Sequence, residues 1–309
     1  MTTNSNYKKR ALAVRLWKID DAGNVREDTR LDLAGHRAHA LIESFGAGFF
    51  ATEAQIQIWG LRKEIMAQYQ RTAFDIYLSD LHIDGYVSIF AGTEGEQLNL
   101  LFEGGISSAT ADFNAAPEVP FSIRAYSAIA YATQPVASNS APGETDVAAM
   151  IEAIAKSAGL AFKNYGVSGI KLRNINLSGT TTAQIQQLAD AARVTCYLDN
   201  GTLSIWPDNI GTAEDGLAAF PVVDINAENG MIGSPTFHQT GIEVRCVCNP
   251  QIRFGQRVRV KSIVPAATGE WFISRVSHDL ETMNPGGPWQ TTVRAEVSSQ
   301  YYESKRNQQ

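Results

Sequence analysis

Residues 52–65 read TEAQIQIWGLRKEI, and residues 87–113 read VSIFAGTEGEQLNLLFEGGISSATADF. Both stretches contain short runs of β-branched, aromatic and other apolar residues, separated by Gly-containing turns such as 92–95 (GTEG). This composition is typical of β-strands joined by turns. Similar runs extend from about residue 10 to 136, and many short strands in succession predict a barrel or a sandwich. The exception is residues 61–72, where helical spacing of apolar residues predicts a helix.

The composition changes at residues 134–144 (QPVASNSAPGE), which predict an exposed connector. A helix is expected beyond it, capped by Thr145 and ended by Gly159. A strand-like KLRNINL follows, and then a second helix with Thr181 and Gln184 as a capping box. A hairpin turns at Asn200-Gly201. This order of elements predicts a small α+β domain.

Strand patterns return after this domain. In GIEVRCVC (241–248), the apolar Ile242, Val244 and Cys246 alternate with other residues, which predicts a half-buried strand. The fold class is therefore mainly β with an α+β insert. The predicted domains are a first β-barrel at 8–136, an insert at 143–207, a second β-barrel at 208–301 and a polar tail at 302–309. A duplication of the β parts is conceivable, but the sequence shows no fixed repeat period.

Composition excludes several classes of protein. The 309 residues include 26 Lys and Arg against 32 Asp and Glu, a net charge of −6, which argues against gripping nucleic acid by phosphate neutralisation. Three cysteines imply no disulfide framework. No apolar run is long enough to span a bilayer, and the N-terminus lacks the features of a signal peptide. We therefore expect a soluble protein that is made in a cytoplasm.

Catalytic and metal-binding signatures are missing from the sequence, so we expect no enzyme activity and no cofactor. There is no P-loop, HExxH or GxSxG motif. His36 and His39 lack a third metal ligand, and Cys246 and Cys248 lack CxxC spacing. Pairs of carboxylates such as Glu94 and Glu96 could serve a glycosidase, but a solvated loop tip is the better interpretation.

Two charge patterns are candidate functional features. No Lys or Arg occurs between Arg71 and Arg124, whereas this stretch carries an acidic set: Asp75, Asp80, Asp84, Glu94, Glu96, Glu103, Asp112 and Glu118. A solubilising face and a functional acidic surface explain it equally well. A basic set that we expect on one strand lies near the C-terminus: Arg253, Arg257, Arg259 and Lys261. Complementary patches suit a self-associating ring, although surface variation explains them nearly as well.

The order of these pieces resembles the baseplate hub, or tail hub, proteins of contractile-tailed bacteriophages. The resemblance rests on the two stretches quoted first and on residues 254–297, FGQRVRVKSIVPAATGEWFISRVSHDLETMNPGGPWQTTVRAEV. It rests also on residues 180–206, TTTAQIQQLADAARVTCYLDNGTLSIW, which are similar to the family's inserted helix-and-hairpin domain. It therefore covers nearly the whole chain.

The resemblance implies two tail-tube-like β-barrels per chain and a homotrimer that presents six barrels to the sixfold tail tube and three copies to the spike. The partners would be the tube protein, the spike and other baseplate proteins in the virion, with no membrane insertion. DNA would pass through a central channel without specific binding. The acidic set would line that channel, and the basic set would contact a neighbouring subunit.

Two alternatives stay open. One is a tail-associated protein that binds or cleaves cell-wall glycan through the middle domain, for which a cleft with convergent carboxylates or exposed aromatic residues would be expected. Tyr165, Tyr197 and Trp206 are the candidates there, and core packing is their more plausible role. The other is a hub of a phage-derived contractile injection system, which the residues do not distinguish from a phage hub.

Overall fold

The computed structural model describes residues 9–20, 22–45, 52–72, 75, 82–207 and 222–296. Strands dominate this part of the chain: β1 (Arg10–Ile19), β2 (Val25–Ala34), β3 (Ala38–Phe45), β4 (Thr52–Trp59), β5 (Gly85–Thr93), β6 (Asn99–Ala111), β7 (Pro120–Tyr126), β8 (Asn139–Asp146), β9 (Ala161–Asn164), β10 (Lys171–Leu177), β11 (Val194–Asp199), β12 (Thr202–Pro207), β13 (Val223–Ile225), β14 (Met231–His238), β15 (Gly241–Val247), β16 (Arg257–Val260), β17 (Gly269–Thr282) and β18 (Trp289–Glu296). The helices are α1 (Lys63–Tyr69), α2 (Ile129–Thr133), α3 (Val147–Ser157) and α4 (Thr181–Ala192), with short 3₁₀ helices at Phe113–Ala115 and Pro265–Ala267.

A sheet of 13 strands joins the two β-rich parts of the chain. Its strands follow the order β14-β15-β18-β17-β3-β4-β7-β6-β5-β1-β2, and β16 pairs with both β17 and β13. Alternate residues on most of these strands point into an apolar core, as a period of two requires. Leu16 and Phe102 belong to the first core, and Val244 and Val293 belong to the second. The predicted class, mainly β with an α+β insert, is confirmed; the predicted domain bounds remain predictions.

The sheet contains the same four-strand unit twice, side by side. The first unit has the order β3-β4-β7-β6, and the second has β14-β15-β18-β17. Within each unit the strands occur in the same sequence order. A further strand also branches from the same place in each, because β5 pairs with β6 up to Gly105 and β16 pairs with β17 up to Phe272. The duplication that the sequence left open is therefore visible in the topology.

A shared irregularity fixes the alignment of the two units residue by residue. In the first, the β6–β7 register shifts between Ile106, which lies opposite Ala125, and Ser108. In the second, the β17–β18 register shifts between Ile273, opposite Ala295, and Arg275. A β-bulge places two residues opposite one and bends the strand. Because the bulge occurs at the same place in both units, Ile106 is equivalent to Ile273.

The two units meet where β17 pairs with β3, and we call this pairing the closed joint. It is antiparallel and runs from Arg275 opposite Phe45 to Thr282 opposite Ala38. Leu280 of β17 lies in the first core, although the rest of its strand continues into the second. The closed joint therefore makes one continuous sheet out of the two units.

The insert folds as predicted, with corrections at its boundaries. Helix α3 is capped by Asp146, which accepts a hydrogen bond from the Ala149 amide, and not by Thr145. Helix α4 is capped by Thr180 and not by Thr181. The predicted connector is wrong in its second half, since β8 pairs with β10 there. The hairpin of β11 and β12 is confirmed, and Asn200 and Gly201 both have positive φ.

Candidate functional site

The face of the large sheet opposite the apolar cores is polar, and we call it the polar face. It carries mostly hydroxyl and amide side chains, because every second residue of the strands is directed away from the core. A shallow depression on this face shows the pattern; its polar lining residues are His39, Gln55, Gln57, Ser108, Thr110, Ser122 and Arg124. The polar face spans both four-strand units, since Gln290 and Thr292 continue it on β18.

Several charges on the polar face lie close to an opposite charge. Arg124 Nε is 3.0 Å from Glu53 Oε1, and Arg275 is 2.8 Å from Glu43 across the closed joint. A hydrogen bond of 2.8 Å also joins His39 Nε2 and Asp279 Oδ1. Exposed pairs of this kind contribute roughly 0–1 kcal/mol to stability. Their larger effect is to cancel local fields, so these side chains present little net charge to a passing polyanion.

The acidic set is not one continuous surface. Glu103 lies on β6 and accepts a hydrogen bond from Ser88, whereas Glu94 and Glu96 lie in the β5–β6 turn and Asp112 lies after the opposite end of β6. Asp112 accepts from the Asn114 amide. Asp80 lies outside the described residues. The placement of this set along a channel stays a prediction.

Basic residues from outside the acidic stretch accompany several of its carboxylates. Glu94 pairs with Lys9 at 3.0 Å, and Glu118 pairs with Arg37 at 2.9 Å. Asp84 contacts Arg71 and also Lys18 at 3.3 Å. Hydrogen bonds from Thr72 lower the pKa of Asp75, which is exposed. The single-sign field that the sequence suggests is therefore interrupted by cations that are distant in sequence.

The basic set also needs a correction, because only Arg257 and Arg259 lie on β16. Arg259 pairs with Glu270 at 2.8 Å, and Lys261 follows the strand as an exposed residue. Arg253 precedes the strand and points inward. Its guanidinium donates to the carbonyls of Leu100 at 2.7 Å and Leu101 at 3.2 Å. The contact of this set with a neighbouring subunit stays a prediction, but Arg253 already joins the second β part to β6.

The insert docks on the sheet through its β11–β12 hairpin. Tyr197 Oη lies 2.9 Å from Thr52 Oγ1, and Asn200 accepts from the Glu103 amide at 2.8 Å. The buried Tyr197 ring packs 4.7 Å from the Phe254 ring. Tyr165 and Trp206 complete this buried group. The interpretation of the three insert aromatics as core packing is confirmed, so they form no exposed glycan platform.

The histidines and cysteines have structural surroundings. His36 Nδ1 lies 3.2 Å from the Trp59 carbonyl, and His39 contacts Asp279 as described above. Burial raises the pKa of Cys246 to about 11 and that of Cys248 to about 12, which keeps both thiols protonated. The described part of the chain contains no group of three or more potential metal ligands. No helix there is long and apolar enough to cross a bilayer.

Comparison with known proteins identifies the family. The family model of baseplate hub gp41 matches residues 47–287. The chain belongs to the baseplate hub gp41 family. This hub is thus a structural component of a phage baseplate, and so of the virion tail. A search of curated proteins found no match.

Solved structures share the fold of the hub. A tail protein from Neisseria meningitidis MC58 has a TM-score of 0.56 at 12% identity, covering 94% of this chain and 97% of its own. A prophage MuSo2 43 kDa tail protein from Shewanella oneidensis has a TM-score of 0.55 at 10% identity, with the same coverage of 94% and 97%. The half-lidded Francisella PdpA-VgrG complex matches with a TM-score of 0.53 at 10% identity, over 94% of this chain and 58% of that one.

Proposed function

We propose that this hub forms a trimeric ring that adapts the sixfold tail tube to the threefold spike and leaves a channel for DNA. The observation that carries the proposal is the four-strand unit that occurs twice in each chain. Three chains supply six such units, so one ring offers sixfold repetition to the tube while its chains keep threefold symmetry for the spike. The predicted domains 8–136 and 208–301 would be the two tube-like domains.

The side-chain composition of the polar face supports the assignment of this face to the channel wall. A wall of hydroxyl and amide groups with paired charges gives DNA phosphates few fixed cations to bind, and phosphate neutralisation dominates nonspecific affinity for DNA. DNA would therefore pass without being held. Glu103 lies on this face. Glu94, Glu96 and Asp112, which lie beyond the two ends of β6, would act at the channel ends, where exposed carboxylates repel phosphate.

The molar mass of the hub in solution and electron micrographs of it test the proposed adaptor ring. The full-length chain is measured by light scattering alone, with its tube protein and with its spike protein. We expect about three times 33.6 kDa for the hub itself, and averaged end-on electron micrographs with six similar lobes around a hole. A chain that stays monomeric alone and in both mixtures contradicts the proposal. Neutralising Glu94, Glu96 and Glu103 tests the acidic lining separately: unchanged DNA ejection and assembly would remove its support.

The same ring would serve a phage-derived contractile injection system, and the fold shared with the VgrG complex fits that alternative equally. The glycan alternative has less support, because the insert's candidate aromatics are buried in the docking contact. A binding assay of the full-length hub with peptidoglycan fragments distinguishes it from the adaptor: we expect no retention.

A further inference from the structure

The polar face changes character on β2, β1 and β5, where aromatic rings accompany the charges. Strand pairing aligns four side chains in one row across the sheet: Asp32 of β2, Arg15 of β1, Ser88 of β5 and Glu103 of β6. In the neighbouring row Trp17 lies opposite Tyr86, and their rings stack with centroids 5.8 Å apart. Because Leu16 lies in the first core, Arg15 and Trp17 on either side of it point to the polar face.

A small cavity lies between these two rows, and we call it the Ser88 cavity. Its volume is about 180 Å³, and the residues that matter to its chemistry are Arg15, Trp17, Glu27, Arg30, Ser88 and Glu103. Sites for drug-sized ligands and cofactors measure about 300–1,000 Å³. The Ser88 cavity therefore suits one side chain or a small molecule of that size, and not a nucleotide or an oligosaccharide.

An irregular segment of β2 forms one side of the cavity. Residues 27–30 stand against Trp17 alone, because the β1–β2 register shifts at this point. The Thr29 hydroxyl fixes the segment: it accepts a hydrogen bond from the Lys18 amide at 2.9 Å and donates one to the Arg26 carbonyl at 2.6 Å. Irregularities of this kind re-aim side chains and are common next to functional sites. Two residues of this segment line the cavity.

The cations around the cavity leave one carboxylate unbalanced. Arg15 Nε donates to Asp32 Oδ1 at 2.5 Å, and Arg30 lies 3.7 Å from Glu27. Among the described residues, Glu103 has a neutral hydroxyl as its hydrogen-bond donor and forms no ion pair. Two cations therefore face three carboxylates, and the unmatched charge belongs to Glu103.

Two further observations are consistent with a site for a cation. Burial and, second, the charge of Glu103 raise the pKa of Tyr131, so this charge acts on its surroundings. Trp17 lines the cavity, and the face of an indole ring attracts a cation within about 6 Å of its centroid. Arg15 does not fill this place, because its guanidinium lies over the Phe90 ring at 5.3 Å.

We propose that the Ser88 cavity binds an alkylammonium group, the cation that lysine side chains and free amines share. The ammonium lies between the Glu103 carboxylate and the Trp17 ring, and its alkyl chain packs against Val25, which is 47% exposed. A neutral ring could also stack on an indole, but it would not balance the extra negative charge. The site lies within one chain, so it goes beyond the proposed ring and does not depend on it.

Titration of the full-length hub with n-butylammonium tests this chemistry. The protein is labelled with fluorotryptophan, and the resonance that disappears in Trp17→Phe identifies Trp17 among the 5 tryptophans. In fluorine NMR, we expect a saturable shift of the Trp17 resonance and no saturable shift of the others. n-Butanol has a similar chain without the charge and should give none. An equal shift with n-butanol, or no saturable shift with n-butylammonium, overturns the proposal.

Variants that change the charge in opposite directions give an independent test. Glu103→Gln keeps the size of the side chain and an acceptor for Ser88, but should weaken n-butylammonium binding about 10-fold or more. Arg30→Gln removes a like charge and should strengthen binding about 3-fold. The matched control is Glu94→Gln, because Glu94 is an exposed carboxylate paired with Lys9; it should leave the affinity unchanged. Wild-type affinity in Glu103→Gln contradicts the site.

Carbodiimide coupling on assembled baseplates distinguishes the two sources of the ammonium. The reagent activates a carboxylate, and an adjacent amine then forms an amide bond with it and releases the reagent as a urea. A bond between Glu103 and a lysine of another polypeptide, found by mass spectrometry, identifies a protein partner. Coupling of Glu103 to added n-butylamine alone identifies a free amine. Baseplates in which Glu103 couples to neither overturn the proposal.

The outcomes also keep this site separate from the adaptor ring. A hub that forms the ring but shows no saturable binding of n-butylammonium loses the site and keeps the adaptor. A hub that is monomeric alone and in both mixtures, yet binds n-butylammonium through Glu103, keeps the site and loses the adaptor.

Discussion

Leu280 follows Ile273 by the same number of residues as Phe113 follows the equivalent Ile106. Their burial is opposite, and this predicts very different effects of truncation in the monomer. Leu280 is 0% exposed in the first core, so Leu280→Ala removes buried atoms and leaves a cavity. Changes of this kind cost about 3–5 kcal/mol, or a factor of about 10² to 4 × 10³ in the unfolding equilibrium. Phe113 is 50% exposed. Half of the roughly 1.5–3 kcal/mol for complete burial of such a side chain is about 1 kcal/mol, which sets the expected cost of Phe113→Ala.

Urea denaturation of the full-length monomeric chain measures both costs. Far-ultraviolet circular dichroism reports loss of the sheet, and tryptophan fluorescence reports exposure of the buried Trp289 and Trp206. In Leu280→Ala, the urea midpoints from the two probes should move together, because one sheet contains both units. Phe113→Ala serves as the matched control. An equal cost for Phe113→Ala and Leu280→Ala, or a cost of Leu280→Ala below about 1 kcal/mol, would contradict the predicted difference.

Three further outcomes are expected. Tyr197→Phe should lower the free energy of unfolding by about 1 kcal/mol, because it removes the hydroxyl that contacts Thr52. Hydrogen exchange in the β11–β12 hairpin should become faster. Unchanged exchange would mean that the contact does not hold the insert. Burial, reinforced by the nearby Arg253 charge, lowers the pKa of His278 from 6.5 to about 3, so the unfolded chain takes up a proton below pH 6.5 that the folded chain refuses. The contribution of this group to unfolding free energy should therefore fall by about 1.4 kcal/mol per pH unit from 6.5 toward 3, and urea midpoints of His278→Gln between pH 7 and 4 should show a shallower slope than the wild type; equal slopes would contradict this. Arg253→Met leaves two backbone acceptors without their donor and should cost about 1–3 kcal/mol for each, whereas Arg259→Met, at an exposed pair, should stay within about 1 kcal/mol in the same denaturation assay.

Local patterns in the sequence predict most of the fold. The runs in residues 52–65 and 241–248 became β4 and β15 because strict alternation buries one face. The Asn200-Gly201 hairpin is equally local, since both residues must take positive φ. The helix caps were each displaced by one residue. In both cases two adjacent residues can cap, and only the path of the chain decides between Thr145 and Asp146.

The duplication is not evident from the sequence, because it shows in the order of paired strands and not in a constant spacing of residues along the chain. Ile42 and Phe237 are further apart in sequence than Ile106 and Ile273, since turns and intervening segments differ in length between the two units. A search for a constant period fails under these conditions. The bulge that aligns the units is a property of strand register, which composition does not reveal.

The charge patterns show the same limit. Arg253 stands near Arg257 and Arg259 in sequence, yet its guanidinium reaches carbonyls on β6. The cations that pair with Glu94, Glu118 and Asp84 come from other strands and turns. Charge runs along a chain therefore predict a surface field poorly when the fold is built from long-range strand pairs. In the sequence, the one sign that Arg253 is half-buried is its position just before Phe254 and Gly255.

The closed joint also has a mechanical consequence. Hydrogen bonds between antiparallel strands lie perpendicular to the strands, so a pull along β17 and β3 loads all eight opposed residue pairs of that joint at once. A pull across the sheet would open them one after another, at lower force. The two halves of the chain thus resist sliding past each other under load along the strands, and yield first to forces that peel the sheet apart.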